Sequence, residues 1–214
     1  MTCQVAIPLF PRLTALDAIG PYEVLQQVPS LDVVFVGEAR GEVRTESGRL
    51  GLTVDATFDE VPAPDVIVVP GGIGTRAVLD GGPLLDWLRR AHEGTRFTTS
   101  VCTGSLILAA AGLLAGLTAT THWSVLGYLD KLGAVPVTQR VVEHLPERII
   151  TAAGVSAGID MAIRLVELLV DDVAAQAAQV YIEYDPQPPF DAGHPSKVSA
   201  EVMDRVRAYA ESQP

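Results

Sequence analysis

The sequence predicts an α/β sandwich with a central, mainly parallel sheet, and three observations predict it. Short apolar runs recur that are too continuous for half-exposed strands and suit strands covered on both faces. Helical patterns alternate with them from end to end, in the β, α, β order of that class. The 214 residues, 48% hydrophobic and 19% charged, supply a sizeable core, and 19 Gly and 15 Pro fall short of a fibrous or low-complexity composition. One domain over residues 1–214 is expected, because the length is only about 1.4 times a typical ~150-residue unit.

Residues 5–9 form the first apolar run and residues 31–36 the second. Between them Pro21 is placed to open a helix that runs on through Tyr22, Val24 and Leu25. Residues 41–61 break the rhythm. There Thr45-Glu46-Ser47-Gly48-Arg49 is a turn cluster between two β-prone pieces, which predicts an antiparallel hairpin on the sheet edge. Asp65-Val66-Ile67-Val68-Val69-Pro70-Gly71-Gly72 is the clearest strand, a Val/Ile segment stopped by Pro and two Gly. Residues 83–92 follow as a helix with Leu84, Leu85, Trp87, Leu88 and Ala91 gathered mostly on one side. A strand over 96–101, an apolar helix over 104–114, a strand over 148–152 and a helix over 157–170 complete the alternation. Residues 185–214 are an extended Pro-rich strap and a polar helix from Ser199 to about Ser212, too short for a second domain.

The formal charge of −11 disfavours nucleic acid, whose non-specific binding depends on clustered Lys and Arg. No basic amphipathic tract suits a membrane surface, no apolar run approaches the ~18 residues of a span, and Met1 to Pro8 lacks the pattern of a signal peptide. A cytoplasmic location is therefore expected. Cys3 and Cys102 are too few for a disulfide framework, and in a reducing compartment each stands alone. Cys3 precedes a core strand, has no helix start after it, and reads as a small hydrophobe.

Cys102 reads differently. Thr98-Thr99-Ser100-Val101-Cys102-Thr103-Gly104-Ser105-Leu106 places it where a buried strand ends and an apolar helix begins. Small residues two before and two after it, Ser100 and Gly104, let the chain make the sharp turn of a nucleophile elbow. The N–H groups opening the next helix would then face the sulfur and favour its thiolate. Ligand crevices in open α/β sheets form at the carboxyl ends of strands, which is where Cys102 falls. Asp17 precedes Gly20-Pro21 in the stretch after the first strand, and position alone leaves it equally an N-cap carboxylate or a functional acid.

Five segments together resemble the ThiJ/PfpI superfamily. They are Leu16 to Leu25, Val69-Pro70-Gly71-Gly72, Ser100 to Leu106, Ala119-Thr120-Thr121-His122-Trp123 and Gly154 to Asp160. Within the superfamily the sequence most resembles the isocyanide hydratase group, from the first strand to the strap at Pro188 to Gly193. The resemblance implies a flavodoxin-like three-layer sandwich, a cysteine on a strained elbow and a homodimer. It also implies that Asp17 is the acid facing the Cys102 sulfur. A carboxyl facing a thiolate in a covered crevice is driven towards its neutral form. With the resemblance as guide, the N–H groups of Gly72 and Thr103 are expected to form a two-donor pocket for developing charge, with the Thr103 hydroxyl as a further contact.

Departures from the family's other branches narrow the function. Residues 154–160 hold no histidine for an amidotransferase triad, Thr103 stands where the protease-like branch has histidine, and Asp17 stands where glyoxalase-like and redox-sensing members have glutamate. A related transcription regulator would need a DNA-binding domain after the sandwich, which one remaining helix does not supply. His122 is more simply hydrogen-bonded structure than a base, and Trp123 is expected near the pocket or in the core. His92, His144 and His194 lie in polar surroundings without metal-ligand spacing, and Gly71-Gly72-Ile73-Gly74 lacks the third glycine of a dinucleotide fingerprint, so neither metal nor cofactor is expected. The implied activity is a hydro-lyase that adds water to a small neutral isocyanide through a Cys102 thioimidate. The alternatives are a cysteine-based redox sensor and a ligand-binding domain.

Overall fold

The computed structural model describes residues 2–212. The chain separates into two compact units, Met1–Ile182 and Glu183–Pro214. In the first, β1 (Cys3–Pro8), α1 (Ala15–Leu25) and β2 (Leu31–Gly37) are followed by three short strands, β3 (Gly41–Arg44), β4 (Gly51–Val54) and β5 (Ala56–Thr57). Next come β6 (Val66–Val69), α2 (Pro83–His92), β7 (Phe97–Val101), α3 (Gly104–Ala110), β8 (Thr118–Ala119), α4 (Leu126–Lys131) and β9 (Val135–Pro136). The unit closes with β10 (Val141–His144), β11 (Ile149–Ala152), α5 (Ala157–Leu169) and α6 (Asp172–Tyr181). The second unit holds α7 (Ala200–Glu211), which starts at Ser199, whose hydroxyl accepts from the Val202 N–H.

Seven strands form the main sheet in the order β10-β11-β7-β6-β1-β2-β5. Only the β10–β11 pair is antiparallel. Counting β1, β2, β6, β7 and β11 as successive parallel strands gives the 2-1-3-4-5 order of flavodoxin-like folds. Helices α1, α5 and α6 pack together on one face, and α2, α3 and α4 on the other. The strand order reverses between β1 and β6, and there the connections leave in opposite directions and open a crevice over the carboxyl ends. All four residues of β6 are wholly buried, as its unbroken Val/Ile composition requires of a central parallel strand. Trp87 anchors α2 by stacking on Phe58 at 4.9 Å and donating its indole N–H to the Val61 carbonyl at 2.8 Å.

Several elements differ from the sequence reading. The hairpin exists, but β3 and β4 pair only with each other, and the edge of the main sheet is β5, parallel to β2. Helix α1 begins at Ala15 after the extended Thr14, so Asp17 lies in its first turn and Pro21 inside it. Pro21 therefore does not open the helix, and it cannot donate to the Asp17 carbonyl. Helix α3 stops at Ala110, where the Arg89 guanidinium takes the carbonyls of Ala110 and Ala111, although Leu114 beyond it is still fully buried. After α5 the backbone breaks at Val170 and restarts as α6, capped by Asp171 accepting from the Ala174 N–H at 2.8 Å.

Candidate active site

Cys102 sits at the end of β7 with a left-handed backbone, φ 57°. That conformation costs an L residue about 1–2 kcal/mol, so the surroundings must hold it. Its N–H donates to the carbonyls of Ala152 and Ala153 at 3.1 and 2.9 Å. Its carbonyl accepts from the hydroxyls of Thr121 and Ser105 at 2.9 and 3.1 Å. The side chain is buried, and burial followed by the charge of Asp17 pushes the thiol up. Backbone N–H groups of Val155 and Thr103 hydrogen-bond the sulfur and pull the other way. The Thr103 amide at the helix start favours the thiolate, as expected, but burial works against it. Burial outweighs the two amides, and one of them comes from the loop before α5 rather than from α3.

Asp17 is completely buried. Its Oδ2 accepts from the Gly71 N–H at 3.0 Å, Oδ1 has no hydrogen-bond partner of regular geometry, and the carboxyl interacts with the Cys102 side chain. Desolvation dominates and raises the carboxyl to about 7, against the lowering effect of Gly71 and Cys102. Acid and thiol are therefore buried together and each alters the other's titration. Residue 71 must be glycine for this arrangement, because a Cβ there would come within 2.5 Å of both the N and Oγ1 of Thr103.

Three consecutive amides divide among three side chains. The N–H of Gly71 goes to Asp17, that of Gly72 to Thr103 Oγ1 at 2.7 Å, and that of Ile73 to Glu46 Oε1 at 2.9 Å. Thr103 Oγ1 also lies 2.9 Å from Thr75 Oγ1 and 3.2 Å from the Gly72 carbonyl. This corrects the two-donor pocket expected of Gly72 and Thr103. The Gly72 N–H is already bonded to the Thr103 hydroxyl, the Thr103 N–H faces sulfur, and the hydroxyl ties the β6 loop to the elbow.

His122 makes no hydrogen bond to Cys102. Its Nδ1 lies 2.7 Å from Ser124 Oγ and caps the turn at 123–125, and burial lowers its pKa. The ring rests against Gly154, where a Cβ would meet Cδ2 at 2.6 Å, so it supports the loop that carries Val155. Trp123 is 41% exposed beside the His122 ring and does not enter the core. His92 and His144 are half-buried and bonded to Thr98 and Thr118, so neither is merely a surface polar group. Among the described residues no cluster of His, Cys, Asp and Glu is placed to hold a metal ion.

Sequence reasoning missed Val155 and Glu46. An amide donor leaves no mark in a sequence, and Glu46 belongs to a turn cluster whose partners, the Leu13 carbonyl and the Ile73 N–H, are far along the chain.

Residues 3–168 match the DJ-1/PfpI family. The chain belongs to that family. Within it, the chain is 42% identical over 210 residues to the isonitrile hydratase of Pseudomonas putida, covering 98% of this chain and 91% of that protein. A ThiJ/PfpI family protein from Pseudomonas syringae superposes with a TM-score of 0.92 at 36% identity, over 99% of this chain and 87% of that one. The family also reaches into regulators. The HTH-type transcriptional regulator GbdR of Pseudomonas aeruginosa is 32% identical over 120 residues, 56% of this chain and 32% of its own. Family membership and the sandwich fold agree with the sequence reading. No helix among the described residues is long and apolar enough to cross a membrane.

Proposed function

We propose that this protein is an isonitrile hydratase, with Cys102 as nucleophile and Asp17 as proton carrier. One observation carries the reading: a fully buried carboxyl, fixed by the Gly71 N–H, interacts with the side chain of a buried cysteine held in the left-handed region at the end of β7, and burial raises that carboxyl to about 7. A group poised near neutrality can take the thiol proton and give it away again within one catalytic cycle. The 42% identity to the Pseudomonas putida isonitrile hydratase supports the choice of reaction.

Asp17 removes the S–H proton as sulfur attacks the terminal carbon of R–N≡C, and delivers that proton to the same carbon. The product is the thioimidate R–N=CH–S–Cys102. Asp17, again a carboxylate, takes a proton from water as its oxygen adds to the carbon, and the nitrogen receives that proton. The C–S bond then breaks, the remaining hydroxyl proton returns to sulfur by way of Asp17, and the N-formamide R–NH–CHO leaves. Water is added with no net redox change. The N–H groups of Val155 and Thr103 hold sulfur while it carries charge, and the Thr103 hydroxyl keeps the Gly72 loop against the elbow. Leu16, Ile73 and Trp123, each next in sequence to a residue of the site, are exposed apolar side chains that suit an uncharged organic group.

A redox sensor would draw on the same buried thiol, so turnover is what separates the two readings. The test is to mix the protein with an aryl isonitrile and follow formamide by chromatography, while intact-mass measurement looks for a transient adduct on Cys102. Turnover that Cys102→Ala abolishes is expected. Formation at the uncatalysed rate, with clean oxidation of Cys102 by peroxide, overturns the hydratase in favour of the sensor.

A further inference from the structure

The turn between β3 and β4 brings a carboxylate to the active-site loops that the chemistry above does not use. Thr45 is buried and closes the turn through its N–H and hydroxyl, both donating to the Leu50 carbonyl at 3.0 and 3.1 Å. Glu46 then donates its N–H to the Leu13 carbonyl at 3.1 Å and accepts from the Ile73 N–H at 2.9 Å. Both ends of Glu46 are therefore fastened, one to the segment that leads into α1 and one to the loop after β6. Its amide partner, Ile73, is the third of the three consecutive amides whose other members serve Asp17 and Thr103.

Glu46 is partly exposed, and its field reaches two groups on different elements, Asp17 in α1 and His122 before α4. At Asp17 it adds to the rise that burial causes, and at His122 it opposes the lowering that burial causes. Glu46 takes part in none of the salt bridges found among the described residues, and neighbouring Arg44 is turned to Glu42 at 2.7 Å. A negative charge is thus tied to the loop whose neighbouring amides hold Asp17 and Thr103.

We infer that Glu46 is a specificity-determining residue that favours isonitriles with a neutral or cationic substituent and disfavours those with a carboxylate. This deepens, and rests on, the hydratase reading. The loop geometry makes the effect separable from folding, because glutamine at 46 keeps an oxygen for the Ile73 N–H and removes only the charge. A partly screened charge at the edge of a pocket changes selectivity between a neutral and a singly charged ligand by about fivefold.

The experiment compares 4-isocyanobenzamide with 4-isocyanobenzoate, which match in shape and differ in charge. For the native protein kcat/KM is expected to favour the amide. In Glu46→Gln the ratio is expected to move towards the benzoate by about fivefold, and added salt should narrow the ratio in the native protein but not in the variant. An unchanged ratio in Glu46→Gln overturns the role of Glu46 while leaving the hydratase standing. If neither compound turns over, the hydratase reading fails and isonitrile specificity with it, and alkylation of Cys102 by iodoacetamide and iodoacetate, located by peptide mass, still decides whether Glu46 sets the charge preference at Cys102. A relative gain for iodoacetate in Glu46→Gln supports it, and no gain overturns it.

Discussion

Each end of the main sheet carries a cysteine beside an aspartate, and the two pairs have different surroundings. At the amino end, Cys3 opens β1 next to Asp65. Its thiol is pushed up by partial burial and by Asp65, while the charge and a hydrogen bond of Arg96 pull it down. Asp65 takes the Gln4 N–H on its Oδ2 at 2.7 Å, and Cys3 lies in regular strand opposite Leu31. At the carboxyl end, Cys102 is held in the left-handed region, Asp17 keeps one oxygen without a regular partner, and the offsetting groups are backbone amides. A cysteine near a carboxylate is therefore not by itself a reactive pair. Reactivity requires a carboxyl that burial leaves able to exchange a proton, at a point where the backbone presents the sulfur to the crevice.

The strongest way to break the comparison is to give Cys102 a partner that cannot carry a proton. Asp17→Asn keeps an oxygen for the Gly71 N–H and is expected to lose turnover by at least about 100-fold, the range of a positioned acid–base group. It also carries a stability signature. In the folded chain Asp17 holds its proton up to about pH 7, whereas the unfolded carboxyl releases it near the ordinary value. The folded state binds more protons in that window, so this group's contribution to stability is complete below about pH 4 and is lost as pH rises through about 7. A gap of roughly three pKa units corresponds to about 4 kcal/mol. Asp17→Asn does not titrate, so its stability relative to the native protein should improve between about pH 4.5 and pH 8 in denaturant melts. A difference that does not vary with pH would show that Asp17 titrates normally and remove the basis for its role.

A smaller effect tests whether the elbow needs its tie to β6. Thr103→Val deletes the hydroxyl shared by Gly72 and Thr75 and leaves both without that partner. A cost of about 1–3 kcal/mol in thermal or denaturant unfolding follows from the unpaired groups. Turnover should fall by roughly tenfold, because the loop that carries the Gly71 amide loosens around Asp17. Normal stability with tenfold lower turnover would instead place the hydroxyl on the substrate.

The same contrast explains what the sequence could show. Strands β6 and β7 and helix α2 were legible because burial on both faces, or on one stripe, writes itself into composition over four to ten residues. Cys102 was legible because the strand, turn and small-residue context is local. The start of α1 was not, since Pro21 is a strong local signal but the extended Thr14 ends up as the N-cap. Long-range contacts decided the rest. The resemblance points the Gly72 amide at developing charge, and its actual pairing with the Thr103 hydroxyl crosses 31 positions, which leaves no local mark. Glu46 was read as a turn residue because the amide it accepts from lies 27 positions away. Its role follows from where the hairpin docks, and hydropathy periodicity does not encode docking.

The smallest expected effect is at the other cysteine. Cys3→Ala removes one partly buried sulfur from the edge of the core, with no backbone strain to release and no hydrogen-bonded acid to orphan. Its cost to stability should be about 1 kcal/mol, that of a small apolar deletion at a half-exposed site. Turnover should stay within about twofold of native, because Cys3 and Cys102 stand at opposite ends of their strands and share no partner. A large loss of activity in Cys3→Ala, with the fold intact by circular dichroism, would mean that the thiol count matters through an exchange between the two cysteines. The asymmetry between the two ends of the sheet would then have to be argued from redox chemistry, with Asp17 no longer the feature that separates them.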